Sequence, residues 1–456
     1  MGLGKRKRET QGTFWVSTEA LGSGPRNVFY DRLNALLAEI DFDRRLEAAA
    51  ASYYETTGRK SLPPGVYFRM LFIGYFEGID SQRGIAWRCD DSRSLARFLG
   101  FGPGEETPDH STLTLTRNRL PLEIHQLAFE LVLGLCHEKG LLKGKTLGVD
   151  ASDLEANASM KSIVRRDSGD DWREYVRKLY EAETGESDPD DEELRRFDKK
   201  RTDKKVSNDE WVNPHDPDAR IGKMKDGRTH LKYKVEHAVD LETDVIVAAE
   251  VYEGTAGDCQ TIEDTVNAAR TNLREARTGC DVEEVAADKG YHSEESLDRL
   301  QHETHVRTYI PQPKRAKSRK PKRKPPRRQA AYRRNRRNAR GRRGRRLQRL
   351  RSEKVERTFA HVLETGGSRR TWLRGLAKIR KRYLVAAVAY NLGRILRQLL
   401  GAGKPRQFGD LHAALSAAFR PSRFACFDVR SLPAIVRVVF AVELDLLKPR
   451  RRSASV

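Results

Sequence analysis

Two short apolar segments, each followed directly by an aspartate, constrain the fold of this chain more than any other feature. Residues 146–149 are predicted to form a buried strand that ends at Asp150, and residues 282–287 a second strand that ends at Asp288. Carboxylates at the carboxyl ends of neighbouring parallel strands meet at one edge of an α/β sheet, where active sites are usually built. The pattern therefore predicts an α/β sheet with two acidic side chains at one edge.

A third carboxylate follows later in the chain. Glu356 is predicted to lie on a helix that begins near Glu353 and has Val355, Phe359 and Val362 on one face. With the two aspartates it would complete an all-oxygen cluster, which suits Mg²⁺ or Mn²⁺ rather than Zn²⁺. An aspartate after a strand is also a common turn former or helix cap, so the pattern alone leaves a structural role open.

The residues around the three acids carry a resemblance to a known family. They read Gly-Val-Asp-Ala-Ser at 148–152, Asp-Lys-Gly-Tyr-His-Ser at 288–293 and Val-Glu-Arg-Thr-Phe-Ala-His at 355–361. In this order they resemble the catalytic blocks of bacterial insertion-sequence transposases of the DDE type, whose catalytic domain is RNase H-like. The resemblance extends from about residue 62 to about residue 400.

The third acidic block departs from the family pattern. Related transposases often carry a Tyr and an Arg before the Glu and a Lys after it, whereas this chain has Ser352 four residues before Glu356 and Leu363 seven residues after it. Glu353 therefore remains an alternative third ligand.

The resemblance implies both an activity and a cofactor. Asp150, Asp288 and Glu356 would be the catalytic residues and would bind two Mg²⁺ or Mn²⁺ ions. The implied reaction is metal-dependent cleavage of the element's DNA ends and strand transfer into target DNA. Lys289 and Arg357 are candidates to hold the scissile phosphate because they neighbour these acids in sequence, and His292 is a candidate to position water or a DNA strand. The alternative for all three is that they only cap or pair with neighbouring groups. The implied partners are double-stranded DNA, as terminal inverted repeats and target, and a second copy of the chain in at least a homodimer.

An internal basic segment supports a nucleic-acid partner. Residues 314–351 contain 21 Lys or Arg and no Asp or Glu, in a chain whose net charge is +22. Such a run cannot pack in a core and repels itself without a polyanion, so we predict that it binds DNA phosphates and is disordered or loosely helical without DNA. A second cationic stretch surrounds Trp372. The predicted DNA-binding residues are Lys289, His292, Arg333, Arg334, Arg336, Arg337, Arg342, Arg343, Arg357, Arg370 and Arg374.

The chain is predicted to have an all-α N-terminal domain and an RNase H-like α/β domain with a mixed sheet. The expected boundaries are a leader at 1–25, a helical DNA-binding or dimerisation domain at 26–140, the catalytic domain at 141–400 with a charged helical insertion at 155–228 and a basic arm at 313–351, and a C-terminal helical region with a basic tail at 401–456.

Several local patterns give the order of elements. In the N-terminal part, apolar residues from Phe29 to Ile40 fall on one helical face, and a helix is predicted to begin at Thr107 with Pro108 in its first turn. Further on, a hairpin at 231–251, helices at 258–273, 293–301 and 376–400, and a strand at 306–310 give the order of an RNase H-like sheet. Within the insertion, 189–205 is expected to be mobile and His215 with its neighbouring acids is assigned to a turn rather than a metal site.

Other classes are disfavoured. The five cysteines have no paired spacing, which argues against a zinc knuckle or a disulfide framework. Neither a membrane-spanning run, nor a secretory signal, nor a glycine-rich phosphate loop is found in the sequence. We therefore expect a cytoplasmic, nucleoid-associated protein of a bacterium or archaeon. The alternatives are an inactive transposase-derived DNA-binding protein and an RNase H-like nuclease without strand transfer.

Overall fold

The computed structural model describes residues 27–407 except 56, 58–60, 103, 203–206 and 314–324. The predicted leader, the start of the basic arm and the predicted C-terminal region beyond residue 407 lie outside the described residues. The helices are α1 (Val28–Glu39), α2 (Phe42–Ala50), α3 (Pro64–Glu77), α4 (Gln82–Asp91), α5 (Arg93–Leu99), α6 (His110–Arg119), α7 (Leu122–Glu138), α8 (Trp172–Thr184), α9 (Asp191–Lys200), α10 (Asp258–Glu275), α11 (Glu294–His302), α12 (Pro326–Arg340), α13 (Arg342–Phe359) and α14 (Leu376–Leu400). The strands are β1 (Thr146–Glu155), β2 (Val164–Arg165), β3 (Trp211–Val212), β4 (Arg220–Lys223), β5 (Thr229–Asp240), β6 (Ile246–Glu253), β7 (Glu284–Ala287) and β8 (Arg307–Tyr309).

A mixed sheet forms the centre of the second half of the chain. Its strand order is β4-β5-β1-β7-β8, and β6 also pairs with β5. The strands β1, β7 and β8 are parallel, whereas β5 runs antiparallel to β1 and β6. This confirms the predicted mixed α/β sheet and its hairpin.

The strand that carries Asp150 is longer than predicted. It continues to Glu155, so the prediction that it ends at Asp150 is wrong. The parallel pairing with β7 does stop beside this residue, since its last pair is Val149 with Ala287. The antiparallel pairing with β5 continues as far as Glu155 opposite Lys232, which keeps the rest of β1 extended.

Helices cover both faces of the sheet. On one face α13 lies over β1, where Val355 and Leu241 fill the space beside Gly148 and a β-carbon there would come within 2.5 Å of Leu241. Next to it, α14 packs against β6, and Asn391 exchanges hydrogen bonds with the backbone of Ile246. On the other face α10 packs against β5 and β6. We call the edge of the sheet that carries Asp150 and Asp288 the acidic rim. It lies beneath α13, which contacts both β1 and β7.

The N-terminal helices pack on a shared core that continues into the sheet. The predicted face of α1 is buried, and Phe29 on that face packs against Phe76 of α3 with ring centroids 5.0 Å apart, while Phe68 and Phe72 of α3 pack against Phe42 of α2. Helix α14 contacts both α3 and α7, so it joins the two halves of the molecule. The predicted start of the helix after residue 107 is wrong by two residues, because Asp109 caps α6 by accepting the Ser111 N–H at 2.8 Å.

The charged insertion is more regular than predicted. Part of the segment expected to be mobile forms α9, which is held to α8 by a hydrogen bond from Trp172 to Asp198 at 3.1 Å. In addition, β4 lies within the predicted insertion but pairs with β5 of the main sheet. Asp216 is buried and accepts hydrogen bonds from Tyr233 (2.6 Å) and the Gly375 N–H (3.0 Å), which gives it a structural role.

The basic segment is helical where the structure describes it. Residues 326–359 form α12 and α13, so of the two expected states, disordered or loosely helical, this part is helical. The helix carrying Glu356 begins at Arg342, so the prediction that it begins near Glu353 is wrong. Amide side chains hold the segment in place. Asn335 exchanges hydrogen bonds of 3.0 and 2.8 Å with the backbone of Ile310, and Gln348 donates to the carbonyls of the last residues of β7 and β8.

None of the helices in the described ranges is long and apolar enough to cross a membrane.

Candidate active site and nucleic-acid interface

Asp150 and Asp288 lie side by side at one edge of the sheet. The parallel register pairs Val149 with Ala287, so the two aspartates that follow occupy adjacent positions on strands about 4.8 Å apart. Asp288 also caps the short 3₁₀ turn Lys289–Tyr291, because its side chain accepts the Gly290 N–H at 2.6 Å. Asp288 therefore caps this turn and also lies beside Asp150 at the edge of the sheet.

The environment of Asp150 favours a cation beside it. Burial raises the pKa of its carboxyl group, Arg351 and the Ala151 N–H oppose that rise, and the charge of Asp288 adds to it. The Arg351 guanidinium contacts Oδ2 of Asp150 directly and donates to Ser352 Oγ at 3.1 Å. An arginine from α13 thus compensates the carboxylate in the metal-free protein.

The two glutamates on α13 have different surroundings. Glu353 accepts a hydrogen bond from Arg357 at 2.5 Å, and Arg357 in turn binds Asp244 at 2.9 Å. Asp244 lies in the turn between β5 and β6. Glu356 is exposed and has no ion pair within the described part of the chain, and it lies one turn after Ser352 on the same side of α13.

The structure brings together the two aspartates but not the complete triad. Among the described residues there is no group of three or more acidic, histidine or cysteine side chains arranged to hold a metal ion. Two adjacent carboxylates supply the oxygen ligands that Mg²⁺ prefers, so this edge fits a divalent cation in part.

Two predicted DNA-binding residues continue from the acidic rim towards α12. Lys289 is exposed immediately after Asp288. His292, at the end of the same turn, meets the Tyr332 ring edge to face with centroids 5.9 Å apart. The acidic rim and the basic helix are therefore adjacent.

The predicted basic residues divide into paired and unpaired groups. Arg343 contacts Glu284, Arg357 contacts Asp244, Arg370 lies 3.7 Å from Glu155, and Arg374 donates to a backbone carbonyl. On α12 and α13, the exposed arginines without an ion pair to another described residue are Arg333, Arg334, Arg336, Arg337 and Arg342, together with the further residues Arg340, Arg345, Arg346 and Arg349. We call these nine residues the arginine surface.

Two family models match the chain. One described as "Transposase DDE domain" matches residues 163–392, half of the chain, and one described as "Transposase domain (DUF772)" matches residues 19–119. The chain belongs to the DDE transposase family. No curated protein and no solved structure matches it. The longer match includes Asp288 and Glu356, whereas Asp150 lies between the two matched ranges.

The sequence reading of this transposase missed a buried polar network under Asp288. Lys234 and Glu236, both inward-facing on β5, form an ion pair of 3.1 Å, and Lys234 also contacts Asp258 at 2.7 Å. Tyr291, three residues after Asp288, donates to Glu236 at 3.0 Å. The signal that could have identified the network is the presence of two charged residues within an otherwise apolar buried strand.

The contact of Arg351 with Asp150 was likewise not predicted from the transposase sequence. Arg351 lies in the basic run and was counted there only as charge. Its position one helical turn before Val355, on the buried face of α13, is what directs it towards Asp150.

Proposed function

We propose that this transposase cuts DNA at the ends of its own element and joins those ends to target DNA in a metal-dependent reaction. The observation that carries the proposal is that the Asp150–Asp288 pair lies next to α12 and α13, the two helices that carry the arginine surface. Carboxylates that bind a cation and guanidiniums that bind phosphates are the two components that phosphodiester chemistry requires.

Asp150, Asp288 and Glu356 are the proposed metal ligands. Glu356 is preferred to Glu353 because it has no ion pair among the described residues and lies on the side of Ser352, whereas Glu353 accepts a hydrogen bond from Arg357. A bound Mg²⁺ pair would supply positive charge to the nucleophile and to the leaving oxygen.

The chain's own cations would orient the DNA. Lys289 is exposed beside Asp288 and would contact the phosphate nearest the rim, while the arginine surface would bind the flanking duplex. Guanidinium contacts to phosphates position DNA without reading its sequence, so we expect strong salt dependence. His292 is proposed to position a strand or a water molecule through its place between the rim and Tyr332.

The organisation of the working complex follows from the reaction. By resemblance to transposases that bring two element ends together, the proposed active form is at least a homodimer on DNA. The helical segment that ends near residue 140 is proposed to bind the element ends or to hold the dimer, and the nucleoid is the proposed location.

A labelled duplex carrying the element's own end tests the proposal. With Mg²⁺ the parent should give cleavage and strand-transfer products, Asp150→Asn and Asp288→Asn should give neither, and Glu356→Gln should be as impaired as they are. Glu353→Gln is the matched control on the same helix and should retain both products. Products from Asp150→Asn at the parent's rate would refute the proposal. Cleavage without joining would identify a nuclease, and binding without products an inactive DNA-binding protein.

A further inference from the structure

A cavity of about 370 Å³ lies between the N-terminal helices and the catalytic half, away from the acidic rim. Its walls come from α3, α4, α6, α14 and the segment 366–373. Aliphatic side chains and three aromatic residues, Tyr67, Tyr75 and Trp372, form much of the lining. Trp372 is 49% exposed although it lines the cavity, so the site is open to solvent on its side.

A buried arginine faces this cavity without a partner. Arg117 on α6 is 8% exposed, its Nε has no hydrogen-bond partner, and its guanidinium forms no ion pair within the described ranges. Burial lowers its pKa, which shows that the charged form is destabilised where it stands. A buried cation without a counterion is costly, and that cost falls if an anion binds.

The charges around Arg117 add to the need for an anion. Arg382 on α14 lines the same cavity, and burial together with the charge of Arg117 lowers its pKa. The nearby acid is Asp80, which attracts Arg382 and accepts a hydrogen bond from the Trp372 indole at 2.7 Å. In the lining, Asp80 is the one carboxylate and Arg83, Arg117 and Arg382 supply three guanidiniums, whose planar forks match a phosphate.

We propose that this cavity binds one nucleotide, with its phosphate at Arg117 and Arg382 and its base among Tyr67, Tyr75 and Trp372. The volume lies within the range of about 300–1,000 Å³ found for small-ligand sites. Aromatic faces stack on any base, so the site needs no base preference. The nucleotide is either free or part of a DNA strand. We propose a nucleotide rather than another aromatic anion because the protein is proposed to act on DNA, so this inference rests on the proposed function.

The cavity is connected to the strand that carries Asp150. The segment 366–373 runs beside the end of β1, where the Glu155 N–H donates to the Arg369 carbonyl at 3.1 Å and the Thr371 N–H donates to the Glu155 carbonyl at 2.9 Å. Asp150 is five residues earlier on that strand, or about 17 Å at about 3.3 Å per residue. A nucleotide in the cavity would therefore lie apart from the acidic rim, against a segment that is hydrogen-bonded to the end of the strand carrying Asp150.

Calorimetry with deoxyadenosine 5′-monophosphate tests the site directly, on the full chain and without Mg²⁺. We expect one nucleotide per chain, quenching of tryptophan fluorescence, and at least about tenfold weaker binding of deoxyadenosine, which lacks the phosphate. Arg117→Met should abolish binding. Arg119→Met is the matched control, since Arg119 lies two residues further on α6, is exposed and packs on Tyr54.

A second variant guards against misfolding of the first. Leu71→Trp fills the cavity and keeps both guanidiniums, so it should also abolish binding while thermal unfolding shows a folded protein. No binding by the parent, equal binding of deoxyadenosine, or unchanged binding by Arg117→Met would overturn the inference.

An oligodeoxyadenylate distinguishes the two sources of the nucleotide. If the site takes part of a DNA strand, Arg117→Met weakens binding of the oligonucleotide as well, whereas a site for free nucleotide leaves it unchanged. Cleavage of element ends by a protein that does not bind the monophosphate would overturn only this inference. Binding of the monophosphate by a protein that does not cleave would overturn only the proposed function.

Discussion

Replacing Arg351 with methionine should lower the free energy of unfolding of the metal-free protein and increase its affinity for Mg²⁺. Arg351 contacts Asp150, and the two side chains are only 11% and 23% exposed. Removing one partner of a fully buried ion pair costs about 3–5 kcal/mol, and the partial exposure of Asp150 reduces this to about 2 kcal/mol. The variant should therefore unfold more easily by about that amount when metal is absent.

The gain in metal affinity follows from the same contact. A cation bound to Oδ2 of Asp150 must displace the guanidinium in the parent, but in the variant it fills a position already free. If the whole 2 kcal/mol is recovered, Mg²⁺ binds the variant about thirtyfold more tightly, at about 1.4 kcal/mol for each factor of ten.

Thermal unfolding in EDTA and over a Mg²⁺ series measures both effects. The gap in melting temperature between parent and variant should narrow as Mg²⁺ rises, because binding to the folded state stabilises it by mass action. Arg343→Met is the control, since Arg343 also forms an ion pair from α13, with Glu284 at the start of β7. Its destabilisation should not respond to Mg²⁺. A gap for Arg351→Met that stays constant across the series would refute the reasoning.

Three further predictions concern other parts of the molecule. His125 is fully buried, and its pKa is lowered to about 4 mainly by burial. Between about pH 6.5 and pH 4 this imidazole is therefore protonated in the unfolded chain but still neutral in the folded chain. The free energy of unfolding should fall by up to about 3 kcal/mol as the pH drops from 6.5 to 4, and a His125→Gln variant in urea titrations should lack this part of the slope. Asn335→Ala should expose α12 to proteolysis and cost about 1–3 kcal/mol, because it leaves the buried N–H and carbonyl of Ile310 unpaired; unchanged protease resistance would contradict the docking. Arg336→Ala should weaken DNA binding equally for all sequences and reduce the slope of log affinity against log salt by about 1, while a Lys replacement should keep the slope.

The sequence carried enough information for the sheet and for the aspartate pair. Strand hydrophobicity, the hairpin and the position of Asp288 are local properties, and the parallel pairing that aligns Asp288 with Asp150 follows from the order of elements. The length of β1 could not be predicted, because the residues after Asp150 are extended through pairing with β5 and, at Glu155, with the segment 369–371. Local patterns do not contain that information.

Charge obscured the remaining features. By composition, the run around Asn335 is predicted to be disordered or loosely helical. In the structure, the side-chain amides of Asn335 and Asn338 hydrogen-bond the backbone of Ile310 and Thr308 at β8. No sequence pattern distinguishes these two amides from amides that face solvent. Arg351 and Arg117 are likewise ordinary basic residues in sequence. Their burial is decided by helix packing between distant segments, which propensity and periodicity do not encode.

The continuity of α13 has a consequence for how this transposase can change. One uninterrupted helix carries part of the arginine surface, Arg351 and Glu356, so these groups share a fixed angular phase. Inserting one residue between Leu350 and Glu356 would turn the glutamate by about 100° and shift it by about 1.5 Å relative to the arginines. A flexible loop could accommodate such an insertion. In a continuous helix, the number of residues between the arginines and Glu356 fixes their relative positions. Copies of the element can therefore misplace Glu356, the proposed third ligand, through a change in length alone, with every side chain still present.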